Sequence, residues 1–146
     1  MRLGRRLGFD VGLARTGVAV SSHDGIFASP IGNISALSEV TTLLEEYSPI
    51  ELYVGLPLSL SGSQTKSTAM AINFAAELSD LSGLPVRMID ERLTTASAAA
   101  MMRSAGKNAK QGKSTIDAAS ATIILEQALA IERAGNLPGV ALGDLT

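Results

Sequence analysis

Residues 7–21 read LGFDVGLARTGVAVS, and this stretch decides how the fold of the whole chain is interpreted. Two short runs rich in strand-forming residues, 7–11 and 16–21, flank residues 12–15, which have the length of a hairpin loop. Asp10 lies inside the first run. Aspartate is common where a turn begins, yet an ionised carboxylate in a half-buried strand is costly unless a positive charge pairs with it. We therefore take Asp10 as a candidate functional residue.

Strand and helix patterns alternate along the rest of the chain. A third apolar run, residues 26–34, contains Pro30 and Gly32, which favours an edge strand. The remaining predicted elements are strands at 52–54 and 86–89 and helices at about 36–47, 70–81, 95–105 and 115–134. This order predicts an α/β fold, a five-stranded mixed sheet with helices on both faces. We expect one domain over residues 1–146, with a loose tail from about residue 136.

The composition excludes several kinds of chemistry. The chain has no cysteine, which excludes thiol catalysis, disulfides and cysteine-ligated zinc, and its one histidine, His23, cannot form a histidine cluster. With 46% hydrophobic and 18% charged residues, and no apolar run long enough to cross a membrane, the sequence predicts a globular cytoplasmic protein. Catalysis would have to use carboxylates, hydroxyls, lysine or arginine.

Charge is unevenly distributed along the sequence. The net charge is −2, but residues 92–116 contain five basic residues and no acid, which leaves a balance of −7 for the rest of the chain. A local positive field suits phosphate binding, although lysines in a polar loop are also common on ordinary protein surfaces. The basic residues of this segment are Arg92, Arg103, Lys107, Lys110 and Lys113.

Three more acids stand where a site is expected. Asp90 and Glu91 directly follow the last predicted strand, and because strand side chains alternate, only one of them can share a face with Asp10. Asp117 opens the last helix and is followed by an apolar stripe at helical spacing, although an acid is also favourable there as a partner of the helix dipole. Oxygen ligands without histidine or cysteine suit a hard cation such as Mg²⁺ or Mn²⁺.

With their flanks, these residues resemble the YqgF family, the RuvC-like Holliday junction resolvases and pre-16S rRNA nucleases of bacteria. Four motifs occur in order over residues 8–125, and the ordered set is far more specific than any one motif. They are Gly8-Phe9-Asp10-Val11-Gly12 with Arg15, Gly17, Ala19 and Ser21; Val54-Gly55-Leu56-Pro57 with Gly62; Asp90-Glu91-Arg92-Leu93-Thr94-Thr95-Ala96; and Ile116-Asp117-Ala118-Ala119 with Ile124 and Leu125.

The resemblance implies an RNase H-like fold and a nuclease site with Mg²⁺ or Mn²⁺, two ions being expected. By motif position, the metal-binding catalytic acids would be Asp10, Glu91 and Asp117. Glu91 is favoured over Asp90, whose alternative role is to orient the turn or Arg92. The residues expected to contact nucleic-acid phosphate are Arg15, Arg92, Arg103, Lys107, Lys110 and Lys113. For Gly55 and Pro57, formation of a turn is a sufficient role.

The substrate that the resemblance implies is structured nucleic acid: the 5′ end of precursor 16S rRNA in a ribosomal precursor particle, or a four-way DNA junction. The five aromatic residues fall largely in core patterns, so recognition should depend on backbone and shape. Two other classes stay open. One is a nucleotide-binding protein, since a strand-Asp-x-Gly hairpin also opens actin-like ATPases, which however need two lobes. The other is a noncatalytic ribosome-assembly factor.

Overall fold

The computed structural model describes residues 2–93 and 109–145, with side chains for residues 2–92 and 118–145. Within these ranges the strands are β1 (Arg6–Val11), β2 (Thr16–Ser21), β3 (Ala28–Ile34), β4 (Glu51–Leu56), β5 (Val86–Asp90) and β6 (Val140–Ala141). The helices are α1 (Glu39–Tyr47), α2 (Lys66–Ser82) and α3 (Ala109–Arg133), and 3₁₀ turns cover Glu91–Leu93 and Leu142–Asp144.

The six described strands form one mixed sheet in the order β3-β2-β1-β4-β5-β6. β1, β4 and β5 are parallel, while β2 pairs antiparallel with both β1 and β3. The predicted α/β class and all five predicted strands are confirmed. The sixth strand was not predicted: Val140 and Ala141 pair antiparallel with β5, and the Arg87 guanidinium donates to the Gly139 carbonyl at 3.0 Å. Arg87 thus draws this segment onto the edge of the sheet.

Helices cover both faces of the sheet, as predicted. On one face α1 and α2 pack on an apolar cluster that includes Leu7, Phe9, Val54 and Met88. On the other face α3 lies across β1 to β4, with Ala121, Ile124, Leu125, Ala128 and Leu129 fully buried. Alternation along each strand divides its residues between these two layers, so position in a strand determines which layer a side chain joins.

The last helix is longer than the sequence indicated. α3 begins at Ala109, whereas residues 107–114 were predicted to be a basic loop. Alanine, lysine and glutamine are good helix formers, and one internal glycine, Gly112, costs only about 1 kcal/mol. The helix predicted at 95–105 lies outside the described residues. None of the described helices combines the length and apolar character that crossing a membrane requires.

A buried ionic network joins α3 to the sheet at the amino ends of the parallel strands. The Arg6 side chain is fully buried, and its Nη2 lies 2.6 Å from Glu132 Oε2 near the end of α3. Arg2 bridges Glu132 and Glu51, at 2.5 and 2.9 Å. Burial, together with a hydrogen bond to Glu51, raises the pKa of Tyr53. Each buried charge therefore has a charged partner, as a low-dielectric interior requires.

Candidate metal and nucleic-acid site

The carboxyl ends of β1, β4 and β5 meet at one edge of the sheet because these three strands are parallel. Asp10 is the penultimate residue of β1, and Glu91 is the first residue after β5. In open α/β sheets this edge is where ligands usually bind. Two of the predicted acids therefore lie at the expected edge, on strands separated by β4.

Strand alternation places Asp10 on the α3 side of the sheet. A β-carbon on Gly8 would stand 3.0 Å from Leu125 Cβ and 3.1 Å from the Ala121 carbonyl oxygen, so Gly8 faces α3 at close range. Asp10, two residues further along β1, shares that face. In β5, Ile89 packs with the α3 layer and Met88 with the opposite layer. By the same alternation, the Glu91 side chain lies on the α3 face of the sheet, and the Asp90 side chain does not.

Gly55 makes room for Glu91 to cross β4. A β-carbon on Gly55 would stand 2.8 Å from Glu91 Cδ and 2.7 Å from Ile124 Cδ1, closer than packed atoms allow. The sequence suggested only a turn for this glycine, but Gly55 is a buried residue inside β4. Because it has no side chain, the Glu91 carboxyl can lie over the central strand and reach Asp10 on the other side.

Asp10 and Glu91 form a carboxyl pair. Burial, the negative charge of Asp10 and a hydrogen bond between the two side chains raise the pKa of Glu91 to about 8. A raised pKa favours keeping one proton in the pair, where a protonated carboxyl can donate to its partner. Two carboxylates this close cannot both ionise cheaply without positive charge. A shared proton or a nearby positive charge, such as a bound cation, would relieve this repulsion.

Asp90 has a different partner. Arg92 donates to the Asp90 carboxylate from Nη2 at 2.6 Å, from Nε at 3.1 Å and from its backbone N–H at 2.9 Å. These hydrogen bonds, the side-chain ones first, lower the pKa of Asp90. The geometry thus brings Glu91, and not Asp90, to Asp10. Asp90 instead fixes the direction in which the Arg92 guanidinium points.

Asp117 belongs to α3, four residues before Ala121, which packs on Gly8. The amino-terminal part of the helix therefore points to the edge that carries Asp10. The Asp117 side chain lies outside the described residues. Among the side chains that are described, no three potential metal ligands come together. The Asp10–Glu91 pair nevertheless has the donor chemistry that fits a hard divalent cation, since both ligands are carboxylates and their mutual repulsion calls for positive charge.

The predicted phosphate contacts are only partly described. Arg15 lies in the β1–β2 turn, where its carbonyl accepts from the Gly12 N–H at 3.0 Å. Arg92 borders a cleft of about 240 Å³ together with Pro57, Leu58, Leu60 and Glu91. Lys110 and Lys113 lie in the first turns of α3, without described side chains. Arg103 and Lys107 lie outside the described residues. Leu58 and Leu60 were not predicted from the sequence, because isolated leucines in a serine-rich loop show no helical or strand periodicity.

Comparison with known proteins gives consistent results. A family model described as "RuvX: Holliday junction resolvase" matches residues 4–131. A protein of Leifsonia xyli subsp. xyli is 45% identical over 144 residues, covering 94% of this chain and 93% of its own length. One of Streptomyces avermitilis is 45% identical over 147 residues, covering 95% and 94%. Both bear the name "Putative pre-16S rRNA nuclease".

Among solved structures, the chain is similar to one described as "T. thermophilus RuvC in complex with Holliday junction substrate". The TM-score is 0.59 at 16% identity, over 92% of this chain and 99% of that one. At this identity the likeness concerns the fold alone. It confirms the RNase H-like fold that the sequence motifs predicted.

Proposed function

Because the chain belongs to the RuvX family of Holliday junction resolvases, we propose that it is a nuclease that hydrolyses phosphodiester bonds in structured nucleic acid. The observation that carries this proposal is the carboxyl pair formed by Asp10 and Glu91 across Gly55. A fold has no need to bury two acids against one another, and their repulsion lowers stability unless a ligand compensates it.

The proposed cofactor is Mg²⁺ or Mn²⁺, with two ions in the complete site. Asp10 and Glu91 would hold the cation, and Asp117 is proposed as the third ligand from its motif and its place on α3. Bound there, the cation would supply positive charge against the scissile phosphate and make water a better nucleophile. Because the pKa of Glu91 is raised, binding of the cation would favour ionisation of both carboxyls.

Other residues of the chain would bind and orient the substrate backbone. Arg92, held by Asp90 beside Glu91, points a guanidinium at the cleft where a phosphate next to the carboxyl pair would lie. Arg15, in the turn that follows β1, would be a second phosphate contact. Lys110 and Lys113 on α3, with Arg103 and Lys107 before them, would extend the positive field along the strand.

The substrate proposed first is precursor 16S rRNA, cut near its 5′ end within a ribosomal precursor particle. The names of the relatives at 45% identity support this choice. The description of the family model favours a second candidate, a four-way DNA junction. Both substrates are structured and offer the same phosphodiester chemistry, so the site residues would act in the same way on either.

The test is cleavage of precursor 16S rRNA and, separately, of a four-way DNA junction, each with Mg²⁺ or Mn²⁺. We expect the wild-type protein to cut the rRNA near its 5′ end, and Asp10→Asn and Glu91→Gln to abolish cutting while leaving binding. Glu126→Gln, an exposed acid on α3, is the matched control and should cut normally. Cutting that survives both site substitutions would refute the site. Binding without any cutting by the wild type would favour the noncatalytic assembly factor.

A further inference from the structure

The loop between β4 and α2 forms a small rigid hairpin beside the carboxyl pair. We call residues 58–64 the serine arm. Leu58 and Gln64 pair as an antiparallel bridge, and the Ser59 N–H donates to the Ser63 carbonyl at 3.0 Å. The Gly62 N–H donates to the Ser59 carbonyl at 2.8 Å, and Gly62 takes a φ of +88°, which favours glycine. The backbone of the arm is therefore closed upon itself.

Side chains hold the same arm in place. The hydroxyls of Ser59, Ser61 and Ser63 form a chain with separations of 2.9 and 3.2 Å, and the Ser63 N–H donates to Ser59 Oγ at 3.0 Å. At the base, the Thr68 hydroxyl donates to the Pro57 carbonyl. These hydrogen bonds are made within the arm and to α2, so its shape is set before any substrate arrives.

The arm contacts the candidate site through Arg92. Arg92 Nη1 donates to the Leu60 carbonyl at 3.5 Å, and a β-carbon on Gly62 would stand 3.2 Å from that nitrogen. The absence of a side chain on Gly62 thus lets the guanidinium lie against the arm. Because Arg92 also binds Asp90, it links the end of β5 to the tip of the arm.

The tip of the arm carries an exposed leucine. Leu60 is 96% exposed between Ser59 and Ser61, and it lines the cleft of about 240 Å³ with Pro57, Leu58, Glu91 and Arg92. The lining of this cleft combines apolar side chains with a carboxyl and a guanidinium. The volume is below the range of about 300–1,000 Å³ typical of sites for larger ligands. A single planar group with an attached anion matches this mixed lining.

We propose that Leu60 is a specificity-determining residue that packs against the face of an unpaired base next to the scissile phosphate. This inference rests on the proposed function. With a phosphate beside Glu91 and Arg92, the base of the same nucleotide would find Leu58 and Leu60 in the lining of the same cleft. A base stacked within a continuous helix cannot present its face in this way. The serine arm therefore selects nucleotides at branches, junctions and unpaired flanks.

Aromatic residues, which usually supply such contacts, are buried or distant. Phe9 and Tyr53 are fully buried, and Phe74 packs on Phe9 with ring centroids 5.6 Å apart. Tyr47, the last residue of α1, is half-buried against the apolar cluster of that face. Phe27 is exposed but lies in the β2–β3 connection, at the opposite end of β2 from Asp10. An aliphatic contact on a preorganised arm can perform the same task, because each base has an apolar face.

The test compares binding of two RNAs with the same sequence, each carrying 2-aminopurine at one nucleotide. In one RNA this nucleotide lies in an unpaired flank beside a helix, and in the other it lies within a continuous duplex. The proteins are the wild type, Leu60→Ser, the conservative Leu60→Met, and Leu137→Ser, which changes a leucine that is 78% exposed and outside the cleft. Fluorescence reports both affinity and the environment of the base, without turnover.

We expect Leu60→Ser to bind the unpaired RNA about tenfold more weakly, with no change for the duplex, since burying a leucine is worth about that factor. Leu60→Met and Leu137→Ser should bind like the wild type, and all four proteins should unfold at the same temperature. Equal binding of both RNAs by Leu60→Ser and the wild type would overturn the role of Leu60 while leaving the proposed function intact. A wild type that binds neither RNA would overturn both.

Discussion

The carboxyl group of Glu91 occupies the space that any side chain on Gly55 would need, with Glu91 Cδ 2.8 Å from the position of a Gly55 β-carbon. Glycine inside a strand weakens the strand, yet here its absent side chain is what allows two acids from β1 and β5 to meet.

Gly55→Ala should separate the carboxyl pair. The added methyl group would overlap Glu91 and Ile124, so we expect a loss of about 1–3 kcal/mol in the free energy of unfolding, as is typical of overpacked cores. Cleavage should fall at least tenfold. Gly143→Ala is the matched control, since a β-carbon there has no neighbour within 4 Å. Unchanged cleavage by Gly55→Ala would show that the contact of Glu91 with Asp10 across β4 is not required for activity.

Stability should depend on pH through Glu91. Its pKa is raised to about 8 from an ordinary value of 4.5, so the folded state keeps a proton that the unfolded state gives up in this window. The stability of the metal-free wild type should therefore fall as pH rises from about 4.5 to 8. Glu91→Gln has no ionisable group at this position, so its stability should not fall in this way as pH rises. In urea denaturation we expect it to gain on the order of 2 kcal/mol at pH 8 and almost nothing at pH 4.5. A gain independent of pH would contradict the raised pKa.

Asp90 and Glu91 should respond differently to metal. Mg²⁺ or Mn²⁺ should raise the unfolding temperature of the wild type and of Asp90→Asn, because a ligand of the folded state stabilises it by mass action. The same ions should have no effect on Asp10→Asn. Asp90→Asn should instead weaken binding of nucleic acid severalfold, since Arg92 loses the partner that orients it. If Asp90→Asn abolished the metal effect, Asp90 would be a ligand and its assigned role would be wrong.

Glu132→Ala should be strongly destabilising, because it leaves the fully buried Arg6 guanidinium without its charged partner. Loss of one member of a buried ion pair typically costs about 3–5 kcal/mol, measurable by urea denaturation. Glu126→Ala, at an exposed position of the same helix, should change stability by less than about 0.5 kcal/mol. The double change Arg6→Met and Glu132→Leu should recover most of the loss. Failure to recover would mean that the network does more than neutralise charge.

The sequence predicted the order of elements well, because strand and helix periods are local. It was less accurate for α2, where the helical spacing of Met70, Phe74, Leu78 and Leu81 predicts that these residues form the buried stripe. In the structure Leu81 is 44% exposed, and the buried side of α2 consists of Thr68, Ala71, Ala75 and Leu78. Small residues face the sheet because α2 packs close to it, and alanines contribute little to a hydrophobic period. For α3 the predicted stripe ran through Ala121, Ile124, Ala128 and Ile131. The first three are fully buried, and Ile131, near the end of the helix, is half-buried.

The positions of the acids were predictable from the sequence, but their relation was not. Whether Glu91 or Asp90 faces Asp10 depends on which residues of β1, β4 and β5 lie on the same face of the sheet. Only the pairing register of these strands determines that. The function of Gly55 depends on Glu91 reaching over it, a contact between residues that are distant in the sequence. Both Gly55 and the serine arm act through shape, and composition alone cannot show shape.

The ion pair of Glu132 with Arg6 fixes the carboxyl-terminal end of α3, and Asp117 lies toward its amino-terminal end. Fifteen residues separate Glu132 from Asp117, a distance of about 22 Å along the helix axis, whereas Ala121 is only about 6 Å from Asp117. If α3 were held only at Glu132, a small tilt of the helix would displace Asp117 by a large distance. The close contact of Ala121 and Leu125 with Gly8 prevents this, because it holds the helix one turn from Asp117. The accuracy with which Asp117 is placed is therefore set by the missing side chain of a glycine in β1.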